Sequence, residues 1–238
     1  MVEGKRMSGN WMTGPSLTQG TVCPPGLEYL TAIDQVLCHQ VVELLEAFIG
    51  WECKNKYAIK NSMGQQIYYA FEESGCCARF CCANQRGFVL HVVDNFNRTI
   101  EVIRINRPFV LCGGSPWCAV CCGFSVEVEA PPGEIVGLVK QTTSCCTPDF
   151  EICSPDGQAH LKIIGPLCHF KCCCLYDGRP RGGRRAKTVD GIVKEMFTKA
   201  DNFSVSFPLD LDVRMKATLL GALFLIDFMM FENPQNSG

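Results

Sequence analysis

"MKATLLGALFLIDFMMFE", Met215 to Glu232, is the most apolar run in the chain, and what surrounds it decides the fold. Ala217 to Ile226 carries no charge, Asp227 interrupts, and Phe228 to Phe231 resumes the apolar series. Spanning a bilayer takes ~20 predominantly apolar residues. This run falls short, and a carboxylate near the bilayer centre costs a few kcal/mol. A helix that is apolar on every face must be wholly buried if it stays in water. The rest of the chain must therefore supply an enclosure, and a helix threaded through a β-barrel meets that need.

Working outward, the preceding sequence reads as strands. Gln66 to Phe71, Phe88 to Val93 and Thr99 to Ile105 are β-branched and aromatic, and Phe124 to Glu129 alternates as a half-buried strand does. Tyr57 onward, Glu134 to Lys140 and His160 to Ile164 continue the series. Turn signals separate them at Asn61–Gly64, Asp94-Asn95, Pro131–Gly133 and Pro155–Gly157. This strand density predicts a β-barrel or sandwich. A weak internal repeat links "YAIKNSMGQQIYYAFEESGCCARFCC" from Tyr57 with "FEICSPDGQAHLKIIGPLCHFKCCC" from Phe150. Ile59 matches Ile152, Gly64 matches Gly157, and Gln65 matches Gln158. Two related half-barrels, or two hairpins of like kind, would each produce it.

Residues 1–23 read as a disordered tail, residues 24–233 as one domain including a C-terminal helix over 214–231, and residues 234–238 as a second tail. Pro24-Pro25-Gly26 marks entry into ordered structure. Tyr29, Ile33, Val36 and Leu37 have helical spacing, as do Val41, Leu44, Leu45 and Phe48, so one helix or a short helix followed by a strand fits.

The formal charge of −2 on 238 residues argues for neither nucleic acid nor an anionic membrane as a partner of the whole molecule. No apolar run follows a basic start, so no secretory signal is expected and the chain is placed in the reducing cytosol. There, 18 cysteines read as core residues, metal ligands or acylation sites rather than a disulfide framework. His39, His91, His160 and His169 are scattered. The sequence shows no Ser/His/Asp arrangement and no Gly-rich phosphate loop, so no enzyme is expected.

Four segments together resemble the phospholipid scramblase family: "PPGLEYLTAIDQVLCHQVVELLEAF", "KYAIKNSMGQQIYYAFEESGCCARFCC", "VEVEAPPGEIVGLVKQ" and "ADNFSVSFPLDLDVRMKATLLGALFLIDFMMFE". The likeness runs from about Pro24 to Glu232. It implies a mostly β fold: a closed antiparallel β-barrel of about twelve strands around a central hydrophobic C-terminal helix, similar to the tubby C-terminal domain. It also implies calcium-dependent, ATP-independent, bidirectional transbilayer movement of phospholipids. Covalent palmitate, attachment to the cytoplasmic face of the plasma membrane and, in some members, a nuclear pool come with it. The family's long proline-rich N-terminal tail is largely absent, so that tail's partners are not expected. A filled barrel leaves no groove for headgroups. Scrambling by such a fold needs a homo-oligomer, a local bilayer defect or another fold in the membrane. An acylated adaptor that moves no lipid is the alternative.

The family's calcium loop falls on Lys199 to Asp210, with carboxylates at Asp201 and Asp210 and backbone or amide oxygens from Asn202, Phe203, Val205 and Phe207. Lys199 stands where the family usually has an acid. Phe203 to Phe207 alternates as a strand does, and a strand cannot curl around an ion. Any calcium site here is expected to be weak, near the ~1 mM end of the range. Cys112, Cys118, Cys121 and Cys122 correspond to the family's S-acylated run, with buried core thiols and metal ligation as the other readings. Stable anchoring takes two lipid signals. Arg179, Arg181, Arg184, Arg185 and Lys187 form a basic patch that reads as a solvated loop, an anionic-lipid contact or an import signal.

Overall fold

The computed structural model describes residues 10–14, 23–41, 55–73, 85–94, 101–110, 122–142, 149–164, 185–188, 195–199 and 202–230. A short helix α1 (Glu28–Thr31) leads into strand β1 (Gln35–Gln40), so of the two readings of the N-terminal region the helix-then-strand one holds. The strands that follow are β2 (Lys56–Lys60), β3 (Gln66–Glu73), β4 (Phe88–Val93), β5 (Glu101–Arg107), β6 (Ser125–Glu129) and β7 (Ile135–Thr142). After them come β8 (Asp149–Cys153), β9 (Ala159–Ile164), β10 (Arg185–Thr188), β11 (Glu195–Lys199) and β12 (Asn202–Ser206). Helix α2 (Val213–Met230) closes the described chain.

Among the described residues the strands form one antiparallel sheet in the order β10-β9-β8-β7-β6-β5-β4-β3-β2-β1-β12-β11. It is a meander whose far end turns back, because β12 pairs with β1, Val36 opposite Val205. The expected closed barrel is corrected on one point. No ladder joins the edge strands β10 and β11, so the sheet is open, although these two strands approach each other.

The sheet curls around α2. The helix packs on β5, β6, β7, β8 and β12, while the Phe224 ring meets Tyr57 of β2 and the Phe228 ring stacks on Phe88 of β4 at 4.2 Å. Leu219, Leu220, Leu223, Phe224, Leu225 and Phe228 are fully buried, which is where the sheet's inward side chains Val36, Ile59, Ile105, Val128, Val139 and Ile152 also lie. A helix apolar on all faces is thus surrounded rather than laid on one layer. Two glycines permit the close fit. A Cβ on Gly137 of β7 would sit 2.0 Å from the Thr218 hydroxyl, and one on Gly221 would sit 2.5 Å from a Val128 methyl.

The two ends of the sheet differ. At one end, tight turns join β2 to β3, β6 to β7 and β8 to β9, and α2 begins beside them. Gly64, Gly133 and Gly157 take positive φ in these turns. All three hairpins also carry a register shift next to the turn, as a type I turn with a left-handed residue requires. The apparent repeat between Tyr57 and Phe150 therefore marks a recurrent hairpin type, which the β6–β7 pair shares. At the opposite end the strands are joined by the longer connections 41–55, 74–87, 108–124, 143–148 and 165–184 and by the two-residue connection 200–201 between β11 and β12.

Within the segment expected as an N-terminal tail, residues 10–14 dock on this sheet. Trp11 bridges Gln66, whose backbone N–H donates to the Asn10 carbonyl at 2.8 Å and whose carbonyl accepts from the Met12 N–H at 2.9 Å.

Candidate functional site

The stretch Lys199 to Asp210 begins in a hairpin and ends in a turn. Lys199 of β11 pairs with Asn202 of β12, and β12 then runs extended to Ser206, hydrogen-bonded to β1 on one side and β11 on the other. Phe203, Val205 and Phe207 are buried in the core, with Phe203 edge-on to Tyr57 and Phe224. Asn202 to Ser206 covers ~13 Å at the usual rise of a strand. The backbone between the two candidate carboxylates is thus a ladder strand, not a loop wound about a centre. Asp201 lies outside the described residues. Asp210 is exposed in the turn before α2. Among the described residues no group of three or more acidic, His or Cys side chains is arranged to hold a metal.

The acids at the end of that stretch have other work. Asp212 is the N-cap of α2: its carboxylate accepts from the backbone N–H groups of Arg214 at 2.8 Å and Met215 at 3.3 Å. One turn on, Lys216 reaches into the molecule and is fully buried. Its ammonium donates to the carbonyls of Leu30 at 2.8 Å, Ile33 at 3.0 Å and Leu209 at 2.8 Å, and lies 5.1 Å from the centre of the Phe207 ring. Burial pulls its pKa below the usual lysine range, against the opposing fields of Asp210, Asp34 and Asp212. Oxygens near the candidate calcium segment thus surround a cation that belongs to the chain. Sequence reasoning missed this lysine. The available signal was a lysine beside the uncharged run from Ala217 to Ile226, one position short of it.

Of the expected acylation residues, Cys112, Cys118 and Cys121 lie outside the described residues. Cys122 is buried and disulfide-bonded, a state the expectation of reduced thiols did not include. Described free cysteines are Cys23, Cys38 and Cys153, of which Cys38 and Cys153 are buried and Cys23 is part-exposed. Of the basic patch, Arg185 and Lys187 are on strand β10, while Arg179, Arg181 and Arg184 lie outside the described residues.

The outward face of the sheet is charged. His91, Arg104, Glu127, Glu129, Lys140 and Glu151 occupy part-exposed or exposed positions between buried neighbours. Their registers set opposite charges side by side: Arg104 is opposite Glu129, Lys140 opposite Glu151, and Glu151 opposite Lys162. His91 is clamped. Its Nδ1 lies 2.8 Å from Glu101 and its Nε2 lies 2.9 Å from Glu73, and its ring stacks on Phe71. Two carboxylates can both accept only if both ring nitrogens donate, which requires the imidazolium. The Glu101 hydrogen bond, and after it that of Glu73, raises the His91 pKa, with burial opposing.

A second polar network is buried near the far end of α2. Glu72 takes hydrogen bonds from Arg86 at 3.0 and 3.1 Å and from Asn55 at 2.6 Å, and Arg86 covers the Phe228 ring at 5.4 Å. A buried pair held by this many bonds fixes where β2, β3 and the residues before β4 meet.

Arg, Lys or Glu side chains on the outward positions do not suit a sheet facing hydrocarbon, where Arg or Lys at the bilayer midplane costs about 2–4 kcal/mol each. No helix of the described chain is long and apolar enough to cross a membrane.

Comparison with known proteins places these features in a context. The family model described as Scramblase matches residues 12–233. The chain is 47% identical over 233 residues to phospholipid scramblase 1 of Rattus norvegicus, covering 95% of this chain and 68% of that protein. It is 48% identical over 229 residues to phospholipid scramblase 2 of Bos taurus, covering 93% and 76%. To phospholipid scramblase family member 5 of Homo sapiens it is 44% identical over 217 residues, covering 88% and 78%. No solved structure matches.

Proposed function

The chain belongs to the phospholipid scramblase family, and we propose that it moves phospholipids between membrane leaflets while attached to one face of the bilayer. The family match supports the activity. The attachment from one face is supported by a single structural observation: α2 is enclosed on all sides by a sheet whose outer face is charged. Among the described residues no helix is long and apolar enough to cross hydrocarbon, and the outward strand positions carry charge. Lipid movement therefore works by perturbing the bilayer from its surface, as a single domain or as a homo-oligomer, and no headgroup passes through the protein.

The finer parts of the reading follow the family. Movement is bidirectional and independent of ATP. Palmitate on Cys112, Cys118 and Cys121 holds the chain at the cytoplasmic face of the plasma membrane. Calcium acts weakly, through the hairpin end at Lys199 and Asp201. Lys199→Asp places a second carboxylate beside Asp201 and raises calcium affinity, whereas Asp201→Ala changes little in the native background. A large loss of calcium binding in Asp201→Ala alone would contradict this weak-site reading. Calorimetric titration of both variants reads it.

One observation favours a second reading. The interior of the curled sheet is occupied by α2, with Leu219, Leu220, Leu223, Phe224, Leu225 and Phe228 fully buried. That suits an acylated adaptor that moves no lipid. The deciding experiment uses purified, acylated protein in vesicles carrying a fluorescent phospholipid and a membrane-impermeant quencher, across a calcium titration. Loss of protected fluorescence that depends on protein supports scrambling. Full protection at every calcium level, with the protein folded and bound, supports the adaptor.

A further inference from the structure

Strand β3 outruns its neighbour β4 at the tight-turn end. It pairs with β2 from Gln66, opposite Lys60, but its ladder with β4 starts only at Tyr69, opposite Val93. On the β4 side, Gln66 to Tyr68 therefore overhang and leave a notch in the sheet. Residues 10–12 fill it as a short parallel strand, with the Gln66 N–H donating to the Asn10 carbonyl at 2.8 Å and the Met12 N–H donating to the Gln66 carbonyl at 2.9 Å. The Met12 side chain packs against the core, and its sulfur accepts from Nδ2 of Asn61 at 3.6 Å. Asn61 is buried, and its Oδ1 accepts from the N–H groups of Met63 and Gln65. The β2–β3 turn thus shapes the place where Met12 sits.

The hold on this segment is slight. Two backbone hydrogen bonds and one thioether fasten it, while Trp11 stays part-exposed and Asn10 and Thr13 are exposed. Segments with few buried contacts open at the low end of a protein's local stabilities. A vacated notch presents the N–H and carbonyl of Gln66, and a sheet edge in that state takes up an extended segment. The segment whose fit is already visible is Asn10 to Gly14, and every copy of the chain carries it. Pro15 to Val22 join it to Cys23. A connection of that length reaches at most ~26–29 Å. This exceeds the Debye length of about 8–10 Å over which the exposed acids of two facing turn ends, Asp34, Glu134, Asp156, Asp210 and Asp212, repel each other. Met63, 73% exposed in the turn that holds Met12, offers a second copy apolar surface beside the notch.

We propose that Asn10 to Gly14 is an exchangeable strand: it fills the β3 notch of its own copy in the monomer and the notch of a second copy in a homodimer. Reciprocal exchange closes the assembly, because each copy gives and receives the same segment. The contacts made in the exchanged state are those of the monomer, so exchange sacrifices none of them. The surface-attached reading above allows a single domain or a homo-oligomer, and strand exchange is a way to build the second. It does not depend on lipid movement.

Two full-length variants separate giving from receiving. Met12→Pro removes the N–H that binds the Gln66 carbonyl, so that copy cannot give its strand. Gln66→Pro removes the N–H that binds the Asn10 carbonyl, so that copy cannot receive one, and position 66 is the first of β3, where proline is tolerated. Thr13→Pro puts the same ring at an exposed residue outside the bridge and serves as the control. Circular dichroism checks that each variant keeps the fold. Met12→Pro, which alters no residue of the twelve-stranded sheet, decides alone if Gln66→Pro disturbs it. Sedimentation velocity across a concentration series reads the dimer, and non-reducing gels exclude dimers held by disulfides. The parent and Thr13→Pro are expected to dimerise, and Met12→Pro and Gln66→Pro alone to hold several-fold less dimer. Their equimolar mixture should regain dimer, since one copy still gives and the other still receives. A parent that stays monomeric at every concentration, variants that dimerise as the parent does, or a mixture no more dimeric than its components overturns the proposal. Each of these leaves the lipid-moving reading untouched, because no vesicle enters the experiment.

Discussion

Lys216 carries a positive charge into the interior and spends it on three backbone carbonyls of α1, the segment after it, and the turn before α2. Leu30, Ile33 and Leu209 come from distant parts of the chain, so one side chain ties them together. Lys216→Met keeps most of the apolar stem and removes the donors. Buried carbonyls left without partners cost about 1–3 kcal/mol each where water cannot reach them. We expect a loss of about 2–4 kcal/mol, read as a lower urea midpoint. A midpoint unchanged in Lys216→Met would mean that water replaces the ammonium at no cost. At this scale the sequence spoke unevenly. The run from Ala217 was read as wholly buried if it stays in water, and it is, whereas Asp227, read only as an interruption of that run, is buried with it. The oxygens around Lys216 converge from residues 30, 33 and 209, and no local pattern announces a convergence of that kind.

At the scale of elements, the contact of α2 with β7 depends on the missing side chain of Gly137. Gly137→Ala forces a Cβ against Thr218, and overpacking of this kind costs typically 1–3 kcal/mol. Thr218→Ala removes the two nearest atoms and should restore part of the loss in a double mutant. Equal stability of Gly137→Ala and the parent would show that α2 sits further from β7.

Three strands meet at His91, whose imidazolium joins Glu73 of β3 to Glu101 of β5, with Arg104 and Glu129 completing the charge row. Its pKa is raised in the fold, so its contribution is complete below the ordinary histidine value of about 6.5 and is lost as pH rises through the raised value. For a part-exposed cluster the effect is up to about 1 kcal/mol. Thermal unfolding of His91→Phe should therefore vary less between mildly acidic and mildly alkaline pH than that of the parent. An identical pH profile would contradict the clamp. Strand positions and turns were legible because alternation and the Gly-containing turns are local signals. The His91 clamp was not, because Glu73, His91 and Glu101 become neighbours only through pairing across β4.

For the whole molecule, the sequence predicted a helix inside strands, and the curled sheet around α2 agrees. Closure did not follow, since β10 and β11 form the two edges. The calcium segment illustrates why a site is harder to read than a fold. Alternation in Phe203 to Phe207 gave the strand, while the carboxylates alone suggested a loop, and the ladder with β1 and β11 decides between them for the backbone. The proposed attachment by acyl chains, with the basic run as a further anionic-lipid contact, also has a measurable signature. Raising salt should weaken vesicle binding in part, through screening of Arg179 to Lys187. Hydroxylamine, which cleaves thioesters, should remove the salt-resistant remainder. Binding insensitive to hydroxylamine would leave the thiols without a part in it.

The central claim is that α2 is the buried core of the domain, and amide hydrogen exchange in detergent-free buffer tests it most directly. The account predicts that amides from Ala217 to Phe228 exchange as slowly as those of β5 and β7, at the rate of global unfolding. Fast exchange along α2 with a protected sheet, or a chain that stays in solution only with detergent, would contradict it and return the helix to the membrane.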